Sequence, residues 1–254
     1  MTVVGLLHPG EMGAAIGGAL RSRGETVLWA SAGRSAATAE RARETGLEDA
    51  GDLTELCRRA EIVLSVCPPH AAVDVARATT GFTGTYVDAN AIAPRTARTI
   101  AGLHERFVDG GIVGPPPLAA GDTRLYLSGI EAGHIAALFA ETPVEARVLS
   151  AEPGAASAIK AAYAGWTKGS AALLLTVHEL ARAEGVEDAL LEEWRLSLPG
   201  TEERLAGAER SARRKGWRWI GEMREIAASM GAQDLPTGFH EAAAEVFRRT
   251  SEEA

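Results

Sequence analysis

From Thr2 to about Ser150, short β-rich apolar runs alternate with segments of helical character, and this alternation restricts the fold more than any other feature. Val3–Leu7 is an apolar run bounded by a turn, Thr26–Ala30 a second, Glu61–Cys67 a third ended by Pro68-Pro69, and Thr85–Ala89 a fourth. Phe107–Val113, Arg124–Ser128 and Glu145–Leu149 read as the last strands. Between them, Ala14–Arg23 reads as a helix closed by Gly24, and Ser35–Glu44 as a second with Gly46 after it. A third helix runs through Ala78, and Pro94–Glu105 carries proline at its first position, where the missing N–H costs nothing. Unbroken apolar runs belong to strands buried on both faces. Strands alternating with helices require right-handed crossovers, so the sequence predicts an α/β fold built on a doubly wound parallel sheet.

After Pro153-Gly154 the character changes. Residues 155–183 contain no proline and are rich in alanine and leucine, which predicts one interdomain helix of about thirty residues, ~45 Å long. Its apolar residues lie nearly all round, as in a helix buried between partners. Gly165 and Gly169 each cost about 1 kcal/mol of helix propensity and, at i and i+4, form a smooth strip open to close approach. Helices are expected at Val186–Leu196, Thr201–Lys215, Trp217–Met230 and Pro236–Thr250, and no β pattern returns. The boundary falls near Glu152, giving a nucleotide-binding domain over 1–151 and an all-helical substrate and dimerisation domain over 152–254. So long an apolar helix is hard to cover within a small domain, which predicts a homodimer through the helical part.

The formal charge of −8 argues against a nucleic-acid partner, which would need a basic face. Cys57 and Cys67 have neither CxxC spacing nor a histidine cluster nearby, so no disulfide framework and no metal site is expected. The longest apolar run, Ala171–Val177, is too short to span a bilayer, and the N-terminus has no basic leader. A cytoplasmic protein with reduced thiols and no membrane contact is the expectation.

The loop HPGEMG, residues 8–13, sits between the first strand and the first helix, where a helix N-terminus offers N–H groups and positive dipole to a phosphate. Against the G-x-G-x-x-G fingerprint, Gly10 and Gly13 keep the second and third glycines and His8 takes the first. Alone, this loop also reads as an ordinary tight turn; within the alternating pattern, Pro9, Gly10, Glu11, Met12 and Gly13 are read as a Rossmann-type cofactor loop. The second strand ends in Trp29-Ala30-Ser31-Ala32-Gly33-Arg34-Ser35, without the acid that accepts from the ribose 2′-OH of NAD. Arg34 with the hydroxyls of Ser31 and Ser35 suits a 2′-phosphate, so NADP is expected.

The segments GLLHPGEMG (5–13), IVLSVCPPHAAV (62–73), VDANAIAP (87–94) and VDGGIVGPPP (108–117), with Gly154 six residues before Lys160, resemble the β-hydroxyacid dehydrogenase superfamily. That superfamily includes 6-phosphogluconate dehydrogenases, 3-hydroxyisobutyrate dehydrogenases and imine reductases. The C-terminal part resembles a phosphogluconate dehydrogenase-like branch with a distinct C-terminal domain. The resemblance implies that Cys67, Pro68 and Pro69 lie along the cofactor ribose and nicotinamide. It further implies that Asn90 stands near nicotinamide and substrate, and that Lys160 is the general acid/base. Two companions depart from the pattern: the asparagine four residues after the lysine is Ala164, and a carboxylate-holding serine in the Gly111–Gly114 segment is Val113.

Lys160 lies in an otherwise apolar run, where a lysine either snorkels to water or is used, and burial brings an ammonium towards the working pH range. Tyr163, near the same helix face, is an alternative proton donor. Trp166, Lys168 and His240 are weaker candidates for substrate contact; Trp166 and His240 read equally as packing residues, and Lys168 as an anion ligand or as idle. The expected activity is NADP(H)-dependent hydride transfer to or from a small carbonyl or hydroxy compound in an interdomain cleft. Reduction of a C=N bond is the alternative enzyme reading, and a non-catalytic NADP-binding sensor or partner protein the alternative of another class.

Overall fold

A computed structural model describes residues 1–252, and the chain divides into two compact units, Met1–Lys160 and Ala161–Ala254. The first unit contains β1 (Val3–Leu7), α1 (Glu11–Ser22), β2 (Thr26–Trp29), α2 (Ala36–Glu44), β3 (Glu48–Asp49), α3 (Leu53–Arg59) and β4 (Ile62–Ser65). It continues with α4 (Ala72–Ala78), β5 (Thr85–Asp88), α5 (Pro94–Ala101), β6 (Phe107–Val113), β7 (Thr123–Ser128), α6 (Ala132–Ala137) and β8 (Val144–Ser150). The strands form one sheet in the order β3-β2-β1-β4-β5-β6-β7-β8. The chain builds outward from β1 on one side and then returns through β4 on the other, so the strand order reverses between β1 and β4. In open α/β sheets that switch point, at the strand carboxyl ends, is where ligands bind.

Strand residues alternate between two cores, as a period of two demands. Val27, Ile62, Leu64 and Val87 pack with Ile16 and Leu20 of α1 on one face. Leu28, Val63, Tyr86 and Phe107 pack with Leu56 of α3 and Ile100 of α5 on the other. Burial on both faces is why these strands read as continuous apolar runs.

Several elements differ from the sequence expectation. The first helix starts at Glu11 rather than Ala14, so Glu11, Met12 and Gly13 form its first turn. Helix α3 was not expected; Asp52 caps it by accepting from the Glu55 amide at 2.9 Å. Helix α5 stops at Ala101 rather than Glu105, which frees His104 to stack on Tyr86 with ring centroids 4.1 Å apart. The sheet is not wholly parallel, because β7 runs antiparallel to β6, and β8 then pairs parallel with β7. Residues 114–122, which include Pro115-Pro116-Pro117, are too short a connection for a parallel crossover.

Helix α7 (Ala155–Ala183) begins in the first unit and continues through the second, where α8 (Glu187–Ser197), α9 (Thr201–Gly231) and α10 (Gly238–Glu252) follow. The two helices expected over 201–230 are one. Gly216 does not break α9; its bare Cα lets α10 cross, since a Cβ there would lie 3.0 Å from Ser251 Oγ. The core gathers Ala164 and Ala172 of α7 with Ala212, Met223 and Ile226 of α9 and Phe247 of α10. The all-round apolar character of α7 is only half used: Trp166 is 76% exposed and Leu173 65%. Among the described residues, no helix is long and apolar enough to cross a membrane.

Lys168 of α7 makes a buried ion pair with Glu222 of α9, its ammonium 5.3 Å from the centre of the Trp219 ring. Burial pushes the ammonium down from its ordinary range, against the pull of the Glu222 carboxylate. Removing one partner strands the other, so Glu222→Ala is expected to cost about 3–5 kcal/mol. In urea unfolding the midpoint should fall, and Lys168→Met with Glu222→Leu should recover most of the loss. An unchanged midpoint for Glu222→Ala would take the pair out of the stability of this unit.

Candidate active site

At the carboxyl end of β1 the backbone must turn sharply into α1. His8 takes the left-handed conformation, φ 67°, that the first glycine of the fingerprint usually supplies. Histidine is among the side chains that tolerate this region. The His8 carbonyl accepts from the Gly10 amide at 2.7 Å, and a Cβ on Gly13 would sit 2.7 Å from that same oxygen. Glycine at 13 is thus required by packing, whereas nothing lies within 4 Å of a Cβ on Gly10, leaving open space over the helix start. Burial and the Arg34 charge lower the His8 imidazole to about 4, so it is neutral near pH 7.

At the end of β2, Gly33 has φ 72° and leads into Arg34, which with His8 lines a largely apolar cleft of about 460 Å³. Ser35 is already engaged as the cap of α2, its Oγ accepting from the Thr38 amide at 3.3 Å, and Ser31 Oγ lies 3.5 Å from the Gly51 carbonyl. Arg34 is therefore the cation at this turn. The sequence reading missed Arg41, whose Nε donates to the Pro9 carbonyl at 3.3 Å and whose Nη2 donates to Thr38 Oγ1 at 3.1 Å. The signal was present: Arg41 lies two turns beyond Arg34, on the helix that Ser35 caps.

The loop after β4 is held by Asn90, which follows β5. Asn90 Oδ1 accepts from the Cys67 amide at 2.5 Å, and Nδ2 donates to Ser65 Oγ at 3.1 Å and to Asp88 Oδ2 at 2.9 Å. Both amide hydrogens and the carbonyl are occupied within the protein, so Asn90 braces this loop. Pro68 is extended and Pro69 opens a 3-10 turn, neither offering an N–H. Burial pushes the Cys67 thiol up to about 12, which leaves it protonated and unreactive near neutral pH.

On β6, Asp109 is fully buried and its carboxylate accepts from the amides of Gly154 and Ser157, each at 2.9 Å, and from Ser157 Oγ at 2.5 Å. It thereby caps the start of α7. Gly111 lies where α7 touches the strand: a Cβ there would collide with the Ala156 carbonyl and come 3.1 Å from Lys160 Cβ. The stem of Lys160 thus starts directly beside Gly111. Val113 is a buried packing residue, and Gly114, at φ 123°, is fitted against the Asp122 carbonyl.

The first unit accordingly brings Gly10–Gly13, Arg34, the Cys67–Pro69 loop, Asn90, Gly111 and Lys160 to the carboxyl side of the sheet. Tyr163, Trp166, Lys168 and His240 belong to the second unit. Tyr163 and Trp166 are exposed on α7. Lys168 is committed to Glu222, which removes it as an anion ligand, and His240 places Nε2 3.2 Å from the Gly165 carbonyl, filling the smooth strip of Gly165 and Gly169. Among the described residues, no group of three or more His, Cys, Asp or Glu side chains is arranged to hold a metal ion.

Residues 181–250 match a domain of unknown function (DUF1932). A curated relative, an uncharacterised 28.5 kDa protein in the 7S RNA 5′ region of Methanothermus fervidus, is 32% identical over 163 residues, spanning 63% of this chain and 63% of its own. A solved conserved protein of unknown function, described as structurally similar to 3-hydroxyacid dehydrogenases, is 30% identical with a TM-score of 0.73, covering 98% of this chain and 97% of that one. The fold is shared with Mycobacterium tuberculosis 3-hydroxyisobutyrate dehydrogenase (14% identity, TM-score 0.74, 100% and 94% covered). It is also shared with the Aspergillus terreus reductive aminase solved with NADPH (20%, 0.61, 100% and 94%). The chain belongs to the family of that conserved protein, whose structural similarity is to the 3-hydroxyacid dehydrogenases.

Gly111→Ala should force α7 away from β6, costing about 1–3 kcal/mol by overpacking. Its thermal midpoint should fall below that of Gly102→Ala, where the nearest atom to a Cβ is an ordinary 3.4 Å away. Equal midpoints would show that the helix start yields without strain.

Proposed function

We propose that the protein is an NADP(H)-dependent oxidoreductase acting on a small carbonyl or hydroxy compound. The observation that carries the coenzyme choice is Arg34 at the end of β2, with no carboxylate in the turn from Ser31 to Ser35. The cradle fits a dinucleotide: open space stands over Gly10 at the start of α1, and Arg34 and His8 line the adjoining cleft. Amides of the α1 first turn, with the helix dipole, would hold the pyrophosphate, and Arg34 the 2′-phosphate. When bound, the coenzyme supplies or accepts the hydride.

Lys160 is assigned the proton. Its ammonium would give a proton to a carbonyl oxygen as that oxygen becomes hydroxyl, and the amine so formed would take one back in the opposite direction. Asp109 holds the helix start that carries it. Ala164 and the buried Val113 stand where hydroxyacid-handling relatives keep polar companions, which favours a substrate other than a standard 3-hydroxyacid. The same two apolar residues support a second reading, reduction of a C=N bond with Tyr163 or water as proton donor.

We also propose a cytoplasmic homodimer that covers the exposed Trp166, Leu173 and Leu180 of α7. Trp166→Glu with Leu173→Glu should halve the mass measured by light scattering; a wild type already monomeric would reject the dimer.

Arg34→Ala is expected to weaken NADPH binding about 10- to 100-fold, the worth of a charge-assisted contact, with NADH little changed. An equal effect on both would overturn the NADP assignment. Lys160→Ala should keep coenzyme affinity and lose most of kcat; unchanged kcat removes Lys160 from the chemistry. Turnover with ketones and not cyclic imines supports the first substrate class, and the reverse the second. Tight NADPH binding with no turnover on either panel would make the chain a sensor.

A further inference from the structure

We propose that Asp88 is a positioning residue: by fixing the amide of Asn90 it locks the Cys67–Pro69 loop into the shape that receives the nicotinamide end of the coenzyme. This rests on the coenzyme reading above. The phosphates fall at the start of α1 and the adenosine end on the side of Arg34. In a dinucleotide lying across the switch point, the other end then falls over the loops after β4 and β5.

The geometry assigns the direction of control. Ser65, the last residue of β4, is in register with Asp88, the last of β5. Asn90 follows two residues on, and Asp88 accepts from both its backbone amide, at 3.0 Å to Oδ1, and its side-chain Nδ2, at 2.9 Å to Oδ2. With Nδ2 drawn to Asp88, Oδ1 must face the Cys67 amide. The flipped amide would set oxygen against carboxylate and N–H against N–H, so only one orientation satisfies the site. The carboxylate of Asp88 therefore decides which atom the loop meets.

Asp88 is an expensive choice for a sheet end. It is fully buried, and burial is the first reason its carboxyl is pushed up to about 7, with the Asp109 charge adding to it. The Cys67 thiol and the Tyr86 phenol are the other titratable groups beside it, and both stay protonated near neutral pH. An apolar residue would fill the space at lower cost, and what it could not do is orient Asn90.

The test separates the two ends of the coenzyme by measuring affinity for NADPH and for its adenosine fragment 2′,5′-ADP. Asp88→Asn keeps only one of the two acceptors, so whichever way its amide turns an N–H faces either Nδ2 or the backbone amide of Asn90. It is expected to weaken NADPH about tenfold while 2′,5′-ADP changes less than about twofold. Asp88→Asn with Asn90→Asp reverses donor and acceptor between the two side chains and leaves an acceptor for the Cys67 amide, so NADPH affinity should return. In the wild type the ratio of NADPH to 2′,5′-ADP affinity should fall as pH drops from about 8 to about 6, following protonation of Asp88. That trend should vanish in Asp88→Asn. Parallel loss of both ligands, or no rescue by the reversed pair, would reduce Asp88 to general packing and overturn the proposal. Unchanged NADPH affinity in Asp88→Asn would do the same. A wild type that binds 2′,5′-ADP no better than 5′-AMP would instead defeat the NADP reading on which this one stands.

Discussion

The carboxylate of Asp109 ties the last parallel strand to the beginning of α7 with three hydrogen bonds, and a fourth from Ser128 Oγ at 3.0 Å joins β7 to the same atoms. An acid at a helix start is favoured by the dipole as well as by the free amides it satisfies. Because Gly111 has no side chain, the helix so anchored descends onto β6, and Lys160 in its second turn is placed by backbone contact. The assigned proton carrier thus depends on a buried acid that itself touches no reactant.

A second buried acid, Asp88, stands one strand away, and the neighbouring Asp109 adds to what pushes its carboxyl up. One caps a helix and the other braces a loop. They are register partners on neighbouring strands, Asp88 as the last residue of β5 and Asp109 within β6. The carboxyl side of this sheet is thus organised by buried carboxyl groups and offers a cation and amides at Arg34 and the start of α1. That polarity suits a negatively charged ligand.

Much of this was legible in the chain. The strands showed themselves because both their faces are buried, and Gly10 and Gly13 marked the sharp turn from β1 into α1. Four things were obscured by tertiary context. Helix α3 is short and mixed in pattern, although the Asp52-x-x-Glu55 spacing is a recognisable start signal. Gly216 reads as a break because propensity penalises glycine, yet contact with α10 outweighs that penalty. Asn90 was read as facing the reactants; which way an amide points depends on neighbours far apart in sequence, here Ser65, Cys67 and Asp88. Likewise the partner of Lys168 lies on α9, and no local pattern announces it.

The last strand carries a different implication. β8 closes the sheet with its outer rim unmatched by any described strand, and Val148 and Leu149 stand half-exposed along it. Such a rim is a template on which a stray chain can add itself. Glu145 and Arg147, paired at 2.7 Å on the same strand, break the apolar run with charge. Two ordinary ionic side chains thus guard the far border of the first unit against uncontrolled polymer growth.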